Sequence, residues 1–210
     1  MKVDSLANKV YVDLRRQILS NQLVPGMRLK EDEWAKKAAV SRMAVREALT
    51  RLLGENLVVF GEKGGYFVKS MTPNDIKEIR ELRELLELGA LRLLSQKPNP
   101  ALLDTLDKIC EDFSDMVEKG YLGGACDADM KFHETLISGA CNAKLLELYQ
   151  YSNIPLFHMK LGHLLMDDYA QTDREHRQIV SALRKQDLRL AQSTLVKHLE
   201  RGEETALGLI

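Results

Sequence analysis

Asp129 and His133 stand four residues apart in the stretch D-A-D-M-K-F-H-E-T-L-I-S-G-A. Four residues is a little over one helical turn, so a carboxylate and an imidazole share one face. Phe132 and Leu136, also four apart, form an apolar stripe beside them. Two further histidines are spaced to join this pair. His176 lies eleven residues before Asp187, and His198 lies eleven after it. Asp187 can cap the second of two helices. In a helical hairpin, equal distance from the turn means equal height, here roughly 16 Å along each helix. If both imidazoles face inward, they meet across the hairpin. One oxygen and three nitrogens suit a divalent transition metal such as zinc or nickel, with positions open for water or an anion. The plainer alternative is that each histidine is an ordinary surface or hydrogen-bonded core residue. His158 and His163 have no comparable pairing and read as pocket-lining or surface groups.

These residues need helices to place them, and the chain from 71 onward supplies a helical pattern. Thr72 caps and Pro73 takes the first helical position. Ile76, Ile79, Leu82, Leu86, Ala90 and Leu93 then make one stripe. A second helix closes at Gly120, and the Asp129/His133 helix follows. A long segment, A-K-L-L-E-L-Y-Q-Y-S-N-I-P-L-F-H-M-K-L-G-H-L-L-M, contains Pro155, which predicts a kink. The His176 and His198 helices end the chain. Six helices without a strand pattern predict an antiparallel all-α bundle.

The first seventy residues differ in charge and in pattern. They hold 13 Lys/Arg against 8 Asp/Glu, whereas residues 71–210 hold 17 against 23. A basic head on an acidic remainder predicts two domains, 1–70 and 71–210, the first with an anionic partner. Leu6, Val10, Leu14 and Ile18 mark one amphipathic helix. K-E-D-E-W-A-K-K-A-A is a second, with Trp34, Ala35 and Ala38 expected inside. Ser41 is the N-cap of a third, whose buried stripe is Val45, Ala48, Leu49 and Leu52. Arg42 and Arg46 share another face near its leading end. Two short helices, a tight turn and arginines at the head of the next helix make a helix-turn-helix. Leu57–Phe60 and Tyr66–Val68 around G-E-K-G-G add a β-hairpin wing, with Lys63 placed for a phosphate or the minor groove. An α-helix fits the major groove of duplex DNA, where arginine can donate two bonds to guanine. The alternative is a small helical domain with solvated arginines.

Hydrophobic content of 45% and charged content of 29% are values of a folded chain. No apolar run reaches bilayer length, and the N-terminus has no apolar core of a signal peptide. Cys110, Cys126 and Cys141 are odd in number and widely spaced, which suits reduced thiols in a cytoplasm.

P-G-M-R-L-K-E-D-E-W-A, V-S-R-M-A-V-R-E-A-L-T-R-L, N-L-V-V and G-G-Y-F-V resemble the GntR family of bacterial winged-helix transcription regulators. That resemblance implies operator contacts by Ser41, Arg42 and Arg46, and a wing-tip glycine at Gly65. Met43-Ala44 stands where the family usually has Thr-Pro, and Met43 cannot donate the hydrogen bond a threonine would, so the family's base preference does not carry over there. The wing carries Gly64 where a basic residue is usual, an exchange expected either to weaken that contact or to displace it onto Lys63. R-E-L-L-E (83–87), D-M-K-F-H-E-T-L, E-H-R-Q-I-V-S-A-L and V-K-H-L resemble the FCD ligand-binding domain of the FadR-like branch. The resemblance implies a metal held by Asp129, His133, His176 and His198, with a small carboxylate effector on or beside it. It also places Arg83 in the pocket; from spacing alone, Arg83 could instead form a surface salt bridge with Glu87.

The function this implies is a ligand-responsive regulator, expected as a repressor. It would be a homodimer on a near-palindromic double-stranded DNA operator, with no membrane partner. A DNA-binding protein with a metal-free anion pocket is the alternative. A metalloenzyme is a third reading, but no general base is well placed: Glu134 points about 100° from His133 on the same helix.

Overall fold

The computed structural model describes residues 5–20, 22–70, 72–97, 99–152 and 166–208. Pro155, His158 and His163 lie outside the described residues. The chain divides into two compact units, Met1–Met71 and Thr72–Ile210.

In the first unit, α1 (Leu6–Leu19), α2 (Glu31–Ala38) and α3 (Arg42–Gly54) each start where a side chain or charge satisfies the helix end. Ser5 accepts from the Asn8 N–H and Ser41 from the Ala44 N–H, filling donors that lack a partner within the helix. Three acids, Glu31, Asp32 and Glu33, occupy the first turn of α2. The core is Val10, Leu14, Ile18, Val45, Ala48, Leu49 and Leu52. Leu6, expected on the buried stripe, is exposed, and Ala7 is buried in its place. A spacing of four advances about 40° beyond a full turn at each step, so a long row drifts off the core face. Ala38 is likewise exposed on the last turn of α2. The Arg51 guanidinium lies 3.7 Å over the Tyr11 ring, tying α3 to α1.

The wing is a three-stranded antiparallel sheet in the order β1 (Arg28–Leu29), β3 (Tyr66–Val68), β2 (Val58–Phe60). The hairpin was legible as two β-rich runs around a glycine-containing loop. The third strand is only two residues long, too short for a periodic signal, and is set by pairing of Arg28 with Phe67 and Leu29 with Tyr66.

The second unit is helical: α4 (Pro73–Gln96), α5 (Pro100–Glu118), α6 (Leu122–Gly139), α7 (Ala143–Tyr151), α8 (Met166–Arg184) and α9 (Leu188–Leu207). Thr72 and Asp75 form a reciprocal capping box at the start of α4. Asp187 caps α9 by accepting from the Leu190 N–H at 2.9 Å. Leu91, Leu106, Phe132, Leu136, Ile179 and Leu195 bring five helices into one core. The buried face of α4 is Ile76, Leu86, Ala90, Leu91 and Leu94, with Arg83 and Glu87 among them. Leu93 is only half-buried. Arg184 bonds Asp104 and Asp107 while Arg177 bonds Ser114, so α8 and α5 run antiparallel. No described helix is long and apolar enough to cross a membrane.

Candidate metal centre and nucleic-acid interface

Three helices deliver four side chains to one buried point. Asp129 and His133 come from consecutive turns of α6, His176 from α8 and His198 from α9. Asp129 and His133 are fully buried, and the two others are 1% exposed. One donor atom from each of the four lies within 4.8 Å of every other. His133 Nε2 is 3.2 Å from His198 Nε2. Asp129 Oδ1 is 3.4 Å from His176 Nε2 and 3.9 Å from His133 Nε2. The equal-height expectation for the α8–α9 hairpin holds, with the His176 and His198 rings 4.8 Å apart. Phe132, one residue before His133, stacks on the His176 ring at 3.9 Å and 10°. The apolar stripe beside the Asp–His pair is therefore the wall that orients the His176 ring.

Two carboxylates behind the histidines fix which nitrogen faces inward. His133 Nδ1 is 2.7 Å from Glu87 Oε2, and His198 Nδ1 is 2.9 Å from Glu175 Oε2. An imidazole that donates its Nδ1 proton to a carboxylate presents a lone pair at Nε2. Two such lone pairs 3.2 Å apart repel unless a proton or a cation lies between them. Two nitrogens bound tetrahedrally at 2.0–2.1 Å would be about 3.3 Å apart. The donor set thus fits a divalent transition metal in chemistry, and the His133–His198 pair fits one in spacing.

Burial would raise the Glu87 carboxyl, but His133 and Arg83 overcome it and hold the group at about 2. Glu175 is also held at about 2: burial opposes ionisation, and bonds from His198, Arg201 and Gln171 prevail. Arg201 bonds both Glu175 oxygens, sharing Oε2 with the imidazole, and Gln171 bonds Oε1. Glu175 was missed in the sequence. Its signal was its position: one residue before His176, it stands about level with His198 in the same hairpin.

Arg83 is 5% exposed, so the surface salt bridge considered from spacing is instead a buried one. Its Nε donates to Glu87 Oε1 at 2.9 Å. Tyr149 donates to that oxygen at 3.3 Å. Burial pulls the Arg83 guanidinium down, yet Glu87, Tyr149 and Asp129 together raise it. Among the described residues, Arg83 Nη2 has no hydrogen-bond partner. A buried guanidinium nitrogen in that state is an anion donor in waiting.

In the first unit, Arg42 and Arg46 are exposed on α3, and Met43 beside them is 69% exposed. Ser41 caps the same helix end. Both arginines are held by acids of α2: Arg46 by Glu31 through two bonds of 2.8 and 2.9 Å, Arg42 by Asp32 at 2.9 Å. Lys63 is exposed in the wing loop. Gly65 has φ +97°, and a Cβ there would sit 3.2 Å from the Arg28 guanidinium. Arg28, overlooked in the sequence, packs beneath the wing tip and 5.8 Å over the Phe67 ring.

Residues 78–201 match the FCD domain family, and residues 6–68 match the bacterial regulatory proteins of the gntR family. The chain belongs to the GntR family of transcription regulators. It is 29% identical over 194 residues to the HTH-type regulator YdhC of Bacillus subtilis, covering 90% of this chain and 85% of that protein. It is 30% identical over 194 residues to an HTH-type regulator from an unstable DNA locus of Streptomyces ambofaciens, covering 90% and 80%. The fold matches E. coli McbR/YncC with a TM-score of 0.86 over 98% of each chain, at 22% identity. As a GntR regulator with an FCD domain, it binds DNA through its helix-turn-helix, and its helical unit is of a kind that binds small-molecule effectors. Members of the family regulate transcription and are not enzymes.

Proposed function

We propose that this GntR regulator is a repressor that senses a small organic acid at a divalent metal. Asp129, His133, His176 and His198 hold the metal, zinc or nickel by donor type. A bound cation would supply a positive centre for an anion at its open positions. Arg83 Nη2 supplies a second contact to the carboxylate, while Glu87 and Glu175 keep the imidazoles turned inward. Two copies place Ser41, Arg42, Met43, Arg46, Lys63 and Gly65 on the half-sites of a near-palindrome. Residues 1–70 bind the operator, and 71–210 bind effector and partner. Effector binding then shifts operator affinity by a coupling that is reciprocal between the two ligands.

The observation that carries this reading is the convergence of four buried donor atoms within 4.8 Å. The test is metal analysis of protein from metal-replete growth, followed by a thermal-shift screen of carboxylic acids with and without zinc or nickel. About one equivalent of metal, and a carboxylate response that vanishes with chelator, is expected. Less than about 0.3 equivalents, with no rise in midpoint on adding metal, would sink the metal site. A metal-free anion pocket is the second reading, favoured by the 3.2 Å His133–His198 contact, which a shared proton could also satisfy. It predicts a carboxylate response that survives chelation.

A further inference from the structure

Glu31 joins the two arginines assigned to the operator. Its carboxylate takes the Nε and Nη2 edge of Arg46 in a two-bond fork and lies 3.6 Å from Arg42 Nη2. The acid is the sheltered partner: its side chain is 15% exposed, against 52% for Arg46. The bond from Arg46 holds the Glu31 carboxyl below the usual glutamate range. A guanidinium has five N–H donors. With Nε and one Nη2 hydrogen committed to Glu31, the outer Nη1/Nη2 edge is still free to donate two parallel bonds. That is the arrangement that reads guanine O6 and N7.

We propose that Glu31 is a specificity-determining positioning residue for DNA reading. It braces Arg46 from behind so that its outer fork meets a base edge. It also offsets the charge that would draw Arg46 and Arg42 to any phosphate. Asp32 differs: its pair with Arg42 is exposed on both sides, 63% and 60%, and does not touch Arg46. Freed from Glu31, a flexible arginine gains phosphate contacts on every sequence and loses its base-reading geometry. Glu31 thus lowers non-specific affinity while preserving specific affinity.

The inference rests on the reading that Arg46 contacts a base, and the test separates the two. The probes are a duplex selected by the wild-type protein from a random pool and a scrambled duplex of equal length. In Glu31→Gln, affinity for the scrambled duplex rises, and its salt slope steepens by about 0.9 for a gained phosphate contact. The ratio of selected to scrambled affinity falls roughly tenfold, toward that of Arg46→Ala. Asp32→Asn makes the same charge change without touching Arg46, and leaves the ratio intact. Equal gains on both duplexes in Glu31→Gln, or the same loss of ratio in Asp32→Asn, would reduce Glu31 to a bulk charge and overturn the proposal. If Arg46→Ala itself leaves the ratio unchanged, the base-contact reading fails first and the role of Glu31 goes with it.

Discussion

His133 and His198 face each other across α6 and α9, Nε2 to Nε2 at 3.2 Å, each turned there by its own buried glutamate. The pairing makes the centre directional. The Glu87 and Glu175 carboxylates engage the outer nitrogens, so the inner ones face each other, where the proposed cation would sit.

Removing the metal should therefore loosen the helical unit. At a free metal concentration 100 times the Kd, binding adds about 2.7 kcal/mol. That corresponds to a midpoint rise of roughly 5–10 °C. Differential scanning calorimetry with and without chelator reads this directly, and His198→Ala should show no rise.

Glu175→Gln should keep the fold but weaken metal binding roughly 10–100-fold, because the His198 ring loses its charged hydrogen-bond partner. Competition titration with a chromophoric chelator measures it. An unchanged affinity would mean that packing against Phe132 and its neighbours alone orients the ligands.

Glu87→Ala leaves the Arg83 guanidinium buried without its carboxylate. The expected loss is about 3–5 kcal/mol of unfolding free energy. Arg83→Met in the same background should recover part of it, since the unpaired charge is then gone. Chemical denaturation of the four variants closes the cycle.

Acid should unfold the metal-free protein through these same carboxylates. Glu87 and Glu175 are held at about 2, below the ordinary glutamate value near 4.3. A depressed carboxyl stabilises the fold fully above its unfolded pKa, and that contribution is lost as pH falls through the folded value. Stability should thus decline between about pH 4.5 and pH 2. Glu175→Gln should flatten that limb in a urea-midpoint series against pH.

On DNA, Arg46→Ala should cost about 1–3 kcal/mol of operator affinity and relax preference at one base pair. Binding of the wild-type protein should weaken steeply with salt, with a slope of about −0.9 per neutralised phosphate. Fluorescence anisotropy at several salt concentrations reads both.

Much of this molecule was legible along the chain because it depends on neighbours in sequence. Thr72, Pro73, Asp187 and Ser41 are end signals read over three or four residues, and each sits at a helix start. Rows of apolar residues gave the helices, though the Leu6 and Leu93 assignments drifted off the core face. The two-residue β1 carried no periodicity at all.

The sequence by itself determined that Asp129 and His133 share a face, and that His176 and His198 stand level about a turn. Helical rise and capping are local and leave little freedom. Only the tertiary structure decided that the α8–α9 pair turns toward α6. It also decided that Glu87 and Glu175 fix the ring nitrogens, and that Arg83 is buried rather than on the surface. It alone set Arg46 in the fork of Glu31. Each of those depends on which face of one helix packs against another, and on distances between groups 15 to 65 residues apart. Such relations arise from burying a common core, and no spacing within one helix encodes them.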